Sequence, residues 1–169
     1  MEHHDLFEVA SDQLDRVLGF FPRVDAKASV VLAVNTGMLA FLAAKVPPLD
    51  MLAWWEIAAP ILTILLLGIS LWHLYKVSFP NLAGGHMSLV YFSEIALRTE
   101  AKFIEEFKKQ SESDLANEFL AQVWRNSQIL KEKFHSQKLA FVFLATAIPP
   151  WVISLVLFTL KTATLKRTP

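Results

Sequence analysis

The chain has no cysteine. Its absence excludes disulfides, thiolate metal sites and a cysteine nucleophile. There is no charge excess either: sixteen basic residues balance sixteen acidic ones, so nothing points to nucleic acid as a partner. Glycine is scarce, with five in all and none after Gly85, and proline is absent between Pro80 and Pro149. Helix breakers are therefore missing from a long central stretch. No glycine-rich phosphate loop, strand alternation or histidine pair at metal-ligand spacing occurs. No cofactor, metal or catalytic activity is expected. His86 and His135 stand singly among polar residues and read as solvated or hydrogen-bonded groups. The acidic start, Met1-Glu2-His3-His4-Asp5, lacks the basic lead of a cleaved signal peptide, and none is expected.

What is abundant is apolar. The 169 residues suit one domain, and 54% of them are apolar, with a mean hydropathy of +0.40. Residues 28–44, 57–75 and 139–160 carry no charge. At ~1.5 Å per residue the first run spans roughly 25 Å, short of a ~30 Å hydrocarbon core. Lys27 and Lys45 at its ends can snorkel to cover the difference. Pro47-Pro48 makes a turn. Asp50 to Glu56 is a short connection whose Trp54 and Trp55 suit a membrane interface, and Pro60 falls in the first turn of the second run, where a missing N–H costs little. The expected fold class is an all-α membrane protein with three transmembrane helices. It adds an amphipathic N-terminal helix within 1–27, a helical cytosolic insert at 76–138 and a tail at 161–169. A soluble helical bundle is the alternative.

The N-terminal helix is predicted over 3–22, with Phe7, Ala10, Leu14, Val17, Leu18 and Phe21 at helical spacing and Pro22 as its end. In the insert, Phe79 to Gly85 reads as a loop, and a helix follows over about Ser88–Lys109. After a break around 110–113, another helix starts near Asp114 and runs unbroken into the third span. Lys161, Lys166 and Arg167 close the chain. Twelve basic residues precede Ala28 or lie in the insert, against four in the other polar segments. That asymmetry places the N-terminus in the cytoplasm.

Three features carry the functional reading. Asn35-Thr36 lies mid-span, where an amide must find an interhelical partner or line a pore, since lipid offers none. Arg98, Lys102, Trp124, Arg125, Lys131 and Lys133 are the set in the insert suited to an anionic planar ligand, with cations for phosphate and an aromatic face for stacking. The competing reading is a solvated face paired with Glu94, Glu100, Glu105 and Glu132. Pro149-Pro150 sits at the middle of the third span and frees the carbonyls of Ala145 and Thr146, with the Thr146 hydroxyl nearby. The result is either a static bend or a membrane hinge.

The order of motifs is Asp25-Ala26-Lys27-Ala28-Ser29 opening the first span, then Phe79-Pro80-Asn81-Leu82 after the second. Ser88-Leu89-Val90-Tyr91-Phe92-Ser93-Glu94-Ile95-Ala96 follows, and Asn126-Ser127-Gln128-Ile129-Leu130-Lys131-Glu132-Lys133 leads into the third. Over roughly 15–160 this resembles the small membrane effectors of Pycsar anti-phage systems. The resemblance implies a protein of the bacterial inner membrane whose functional partner is a pyrimidine cyclase. It further implies that cyclic CMP or cyclic UMP activates the effector, which impairs the lipid bilayer and kills the infected cell. It transfers no ligand-contacting residue. The 63-residue, mainly helical insert cannot build a β-barrel nucleotide domain, so a pocket would form between helices, across subunits if the chain is a homo-oligomer. The other readings are an effector gated by another cyclic nucleotide and a constitutive membrane scaffold or adaptor with no small-molecule ligand.

Overall fold

The computed structural model describes residues 3–48, 52–80, 85 and 87–165. His86, Asp50, residues 81–84 of the expected loop, and the closing Lys166 and Arg167 lie outside the described residues. The described residues form α1 (His3–Leu18), α2 (Phe21–Lys45), a 3-10 helix (Trp54–Ile57), α3 (Ala58–Ser78), α4 (Phe92–Ala96), α5 (Glu100–Lys108) and α6 (Glu112–Leu165). The fold is all-helical among these residues, and three helical stretches are long and apolar enough to cross a membrane. The chain divides into two compact units, one of Met1–Val24 with Pro80–Lys133 and the other of Asp25–Phe79 with Phe134–Pro169.

Several boundaries differ from the sequence expectation. The first break falls at Gly19-Phe20 rather than at Pro22, which is the second residue of α2. Proline has no N–H to return to Leu18, so the helix must stop upstream. In the first turn of a new helix the same lack costs nothing. The charged residues Arg23, Asp25 and Lys27 continue α2, whose 25 residues span about 37 Å. The single helix expected over Ser88–Lys109 is two, separated at Leu97–Thr99. Thr99 caps α5 by accepting the Lys102 N–H at 3.4 Å, a bond that competes with helix continuation. Before α4, the Ser88 hydroxyl accepts the N–H groups of Val90 and Tyr91, both at 3.1 Å, and holds a turn where a helix start was expected. The start of α6 is closed by a reciprocal pair: Asp114 N–H donates to Ser111 Oγ, and Ser111 N–H to Asp114 Oδ2. From there α6 continues through Pro149 and Pro150 for 54 residues.

In the first unit, Ala10, Leu14, Val17, Val24, Leu89, Ala116 and Ile129 are buried, and the Phe7 and Phe119 rings meet at 5.3 Å. The second unit also buries apolar side chains, among them Leu67, Leu74, Val77 and Phe158, and encloses polar ones with them. Val30, Ile64, Leu65, Phe141, Val156 and Leu160 are exposed, while Asn35, Thr63, Ser70 and Ser154 are completely buried. An apolar exterior around polar side chains suits lipid as the solvent, where hydrophobic burial gives no drive between helices. Trp54 and Trp55 are exposed before α3, as are Trp72, Tyr75 and Phe79 near its other end, matching an aromatic residue belt at each interface.

Candidate functional site

The helical periodicity of α6 brings Gln122, Arg125, Asn126 and Ile129 onto one stripe, since residues three and four apart share a face. In the first unit this stripe forms one wall of a cavity of about 310 Å³. Leu14 and Leu18 of α1, Phe21 at the start of α2 and the Val90–Phe92 segment supply the others. The Val90–Phe92 segment is fixed from α6 and from its own turn. Glu118 Oε2 accepts the Leu89 N–H at 2.7 Å and the Ser88 hydroxyl at 3.0 Å. Gly85, also in the lining, has φ of +75°, and a Cβ added there would stand 2.8 Å from the Tyr91 ring. Only glycine fits against Tyr91 in that conformation.

The cavity is largely apolar, with three aromatic rings (Phe21, Tyr91, Phe92), two carboxamides and the Arg125 guanidinium. Arg125 is the one charged residue among the described lining residues. Asn126 Nδ2 donates to the Gln122 carbonyl at 2.9 Å, which fixes the amide and leaves Oδ1 to accept. Lys133 is buried, with Nζ 5.2 Å from the centroid of the Phe21 ring. A second cation thus lies one ring away from the wall.

The residues singled out from sequence therefore separate. Arg125 lines the cavity and Lys133 touches its Phe21 wall. Arg98 is engaged elsewhere: its guanidinium donates to the carbonyls of Met87, Ser88 and Glu94 and pairs with Glu106 at 2.7 Å. That fork lowers the Glu106 pKa, chiefly through the hydrogen bond from Arg98. Lys102 is exposed and reaches Glu106 at 3.8 Å. Trp124 and Lys131 are exposed, and neither lines the cavity. Sequence reasoning missed Phe21, Tyr91, Gln122 and Asn126. The i, i+3, i+4 spacing of the α6 residues was visible, but nothing in it pointed to α1 across more than a hundred residues.

In the second unit the mid-span amide has an interhelical partner. Asn35 Nδ2 donates to Ser70 Oγ at 3.0 Å, and Ser70 Oγ donates to the Ala140 carbonyl at 2.8 Å. One relay therefore joins α2, α3 and α6. Near the proline pair, the Trp151 indole donates to the Met38 carbonyl at 3.0 Å, and the Ser154 hydroxyl to the Pro150 carbonyl at 2.7 Å. The Thr146 hydroxyl donates to the Val142 carbonyl rather than to a carbonyl freed by proline. Lys161 pairs with buried Glu56 at 3.0 Å, a contact no sequence pattern announced.

Residues 9–160 match the family model of the Pycsar effector protein domain. The chain belongs to the Pycsar effector family. With its three apolar helices, this Pycsar effector is a multi-pass inner-membrane protein of anti-phage defence that acts in abortive infection. The family is one of membrane effectors, not a known enzyme family, and membership implies a cyclic-nucleotide signal from a partner cyclase. No curated protein and no solved structure matches the chain.

Proposed function

We propose that this effector is switched by a cyclic pyrimidine nucleotide, cCMP or cUMP, and that switching impairs the inner membrane and kills the infected cell without any catalytic step. The observation that carries the reading is the contrast within one Pycsar chain between a water-type unit holding a small cavity and a unit with an apolar exterior. A signal is read in the first and expressed in the second. The N-terminus and the first unit are cytoplasmic, supported by twelve basic residues against four. The output runs through α6, the helix that passes from residues of the first unit to residues of the second. Pro149 and Pro150 act as a hinge in it: displacement of the segment ending at Lys138 tilts Trp151 to Leu160 and opens a path in a homo-oligomer.

Cells producing the effector together with a pyrimidine cyclase lose membrane potential, read by a voltage-sensitive dye, and cells producing either protein alone keep it. Loss without the cyclase, or none with it, would contradict the reading and favour a constitutive scaffold. A reporter fused after Gln110 is cytosolic and one at Pro48 periplasmic; the reverse result would overturn the assigned topology.

A further inference from the structure

We infer that the cavity of the first unit is the effector's ligand site and that it takes one nucleotide carrying one negative charge. The inference rests on the reading that a cyclic nucleotide is the signal. Three properties of the cavity carry it. Its volume of about 310 Å³ lies at the bottom of the ~300–1,000 Å³ range of small-molecule sites. That is room for a single nucleotide.

Its charge is the second property. A cyclic monophosphate is a diester with one negative charge, and the described lining offers one guanidinium, that of Arg125. A planar fork matches two phosphate oxygens at once.

The third is the polar pattern on an otherwise apolar wall. Phe21 and Tyr91 offer ring faces for a base, with base–aromatic stacking tolerant of base identity. Selection then falls to the carboxamides. With one Nδ2 hydrogen on the Gln122 backbone carbonyl, Asn126 still presents its Oδ1 as an acceptor and its second N–H as a donor. An acceptor suits a base edge that donates, such as the exocyclic amine of cytosine or the ring N–H of uracil. Buried polar groups left without a partner penalise a ligand that lacks the matching donor. Asn126 is thus a base-edge contact, and Arg125 the phosphate anchor.

Calorimetric titration of the full-length protein in detergent tests the assignment, with cCMP, cUMP, cAMP and a cyclic dinucleotide as probes. The parent protein binds cCMP or cUMP and not the dinucleotide. Arg125→Ala weakens that binding about ten- to a hundredfold, the loss of one charge-assisted phosphate contact. Ile129→Phe, which fills the cavity with an apolar ring and keeps the core apolar, abolishes binding and serves if the arginine variant fails to fold. Lys102→Ala and Trp124→Ala, outside the lining, bind within about twofold of the parent. A parent that binds no cyclic mononucleotide sinks the functional reading itself. If the parent binds and a folded Arg125→Ala or Ile129→Phe binds equally well, the reading stands and this site is wrong. Equal affinity for the cyclic dinucleotide would also overturn the assignment.

Discussion

In the unit built from α1, α4, α5 and the first part of α6, polar side chains hold non-helical backbone in place. Glu118 takes up Ser88 and Leu89, while Arg98 gathers three carbonyls and Glu106. In the unit built from most of α2, α3 and the second part of α6, most hydroxyls bond the carbonyl four residues back, as Thr63, Thr146 and Ser154 do. Asn35, Ser70 and Trp151 reach across helices. Water can satisfy a loop, so the first unit tolerates irregular backbone tied down by charge. Lipid cannot, so the second keeps its spans helical and ties its polar groups to backbone carbonyls or to neighbouring helices. A rearrangement is therefore cheap to start in the first unit. It is consequential in the second, where each polar bond that breaks must find another inside the bundle.

The sharpest way to break this contrast is at Pro149 and Pro150, where the second unit departs from its own rule by leaving carbonyls without backbone N–H partners. Replacing both by leucine restores those bonds and locks the span. Ligand binding persists and cyclase-dependent loss of membrane potential disappears. A double variant that binds and depolarises like the parent shows that the prolines only serve packing.

Next in size is Arg98→Ala, which strands three carbonyls of the first unit. Hydrogen bonds to charged groups contribute ~1.5–3 kcal/mol, so the variant destabilises this unit by about 3 kcal/mol, seen as faster amide exchange in α4 and α5 with α3 unchanged. Arg98→Lys does not rescue it, because an ammonium lacks the planar fork. Wild-type exchange in the alanine variant would mean that the guanidinium holds nothing.

A smaller effect follows from Glu106. Arg98 depresses its pKa from the ordinary 4.5. A depressed carboxylate adds stability that is fully present above the unfolded value and lost as pH falls through the folded one. The first unit therefore weakens below about pH 4.5, and Glu106→Gln flattens that part of its exchange profile. An unchanged profile would remove the pair from the account.

The smallest expected change is Asn35→Leu in the second unit. Interhelical polar bonds in bilayers average ~0.6 kcal/mol and reach ~1.7. The variant loses that much in unfolding from lipid or detergent and still inserts. A loss several times larger would mean that the relay through Ser70 and Ala140 organises the bundle.

The second unit was far more legible in the sequence than the first. Three uncharged runs mark the spanning helices, and Asn35 in the middle of one demanded a partner. Lipid imposes those rules on composition alone, so composition reveals them. The first unit depends on particular pairings. The break before α5 was readable in Thr99-Glu100 as a cap followed by acid, and the start of α6 in Ser111-x-x-Asp114. The cavity was not readable, because Phe21 and Arg125 line one space only once the start of α2 and α6 have folded together, and a helical stripe reads the same whether it faces a cavity or a packed core. Arg98 and Arg125 look alike in sequence; one gathers the carbonyls of a turn and the other stands in a cavity wall.

The measurement that bears most directly on the central claim is dye release from liposomes carrying the purified effector, oriented or permeated so that ligand reaches the first unit. cCMP or cUMP alone should release the dye, dose-dependently, while cAMP, cGMP and a cyclic dinucleotide leave the vesicles intact. Release by none of them, or equal release without any nucleotide, would contradict the claim that one unit of this chain reads a cyclic pyrimidine nucleotide and the other opens the membrane in response.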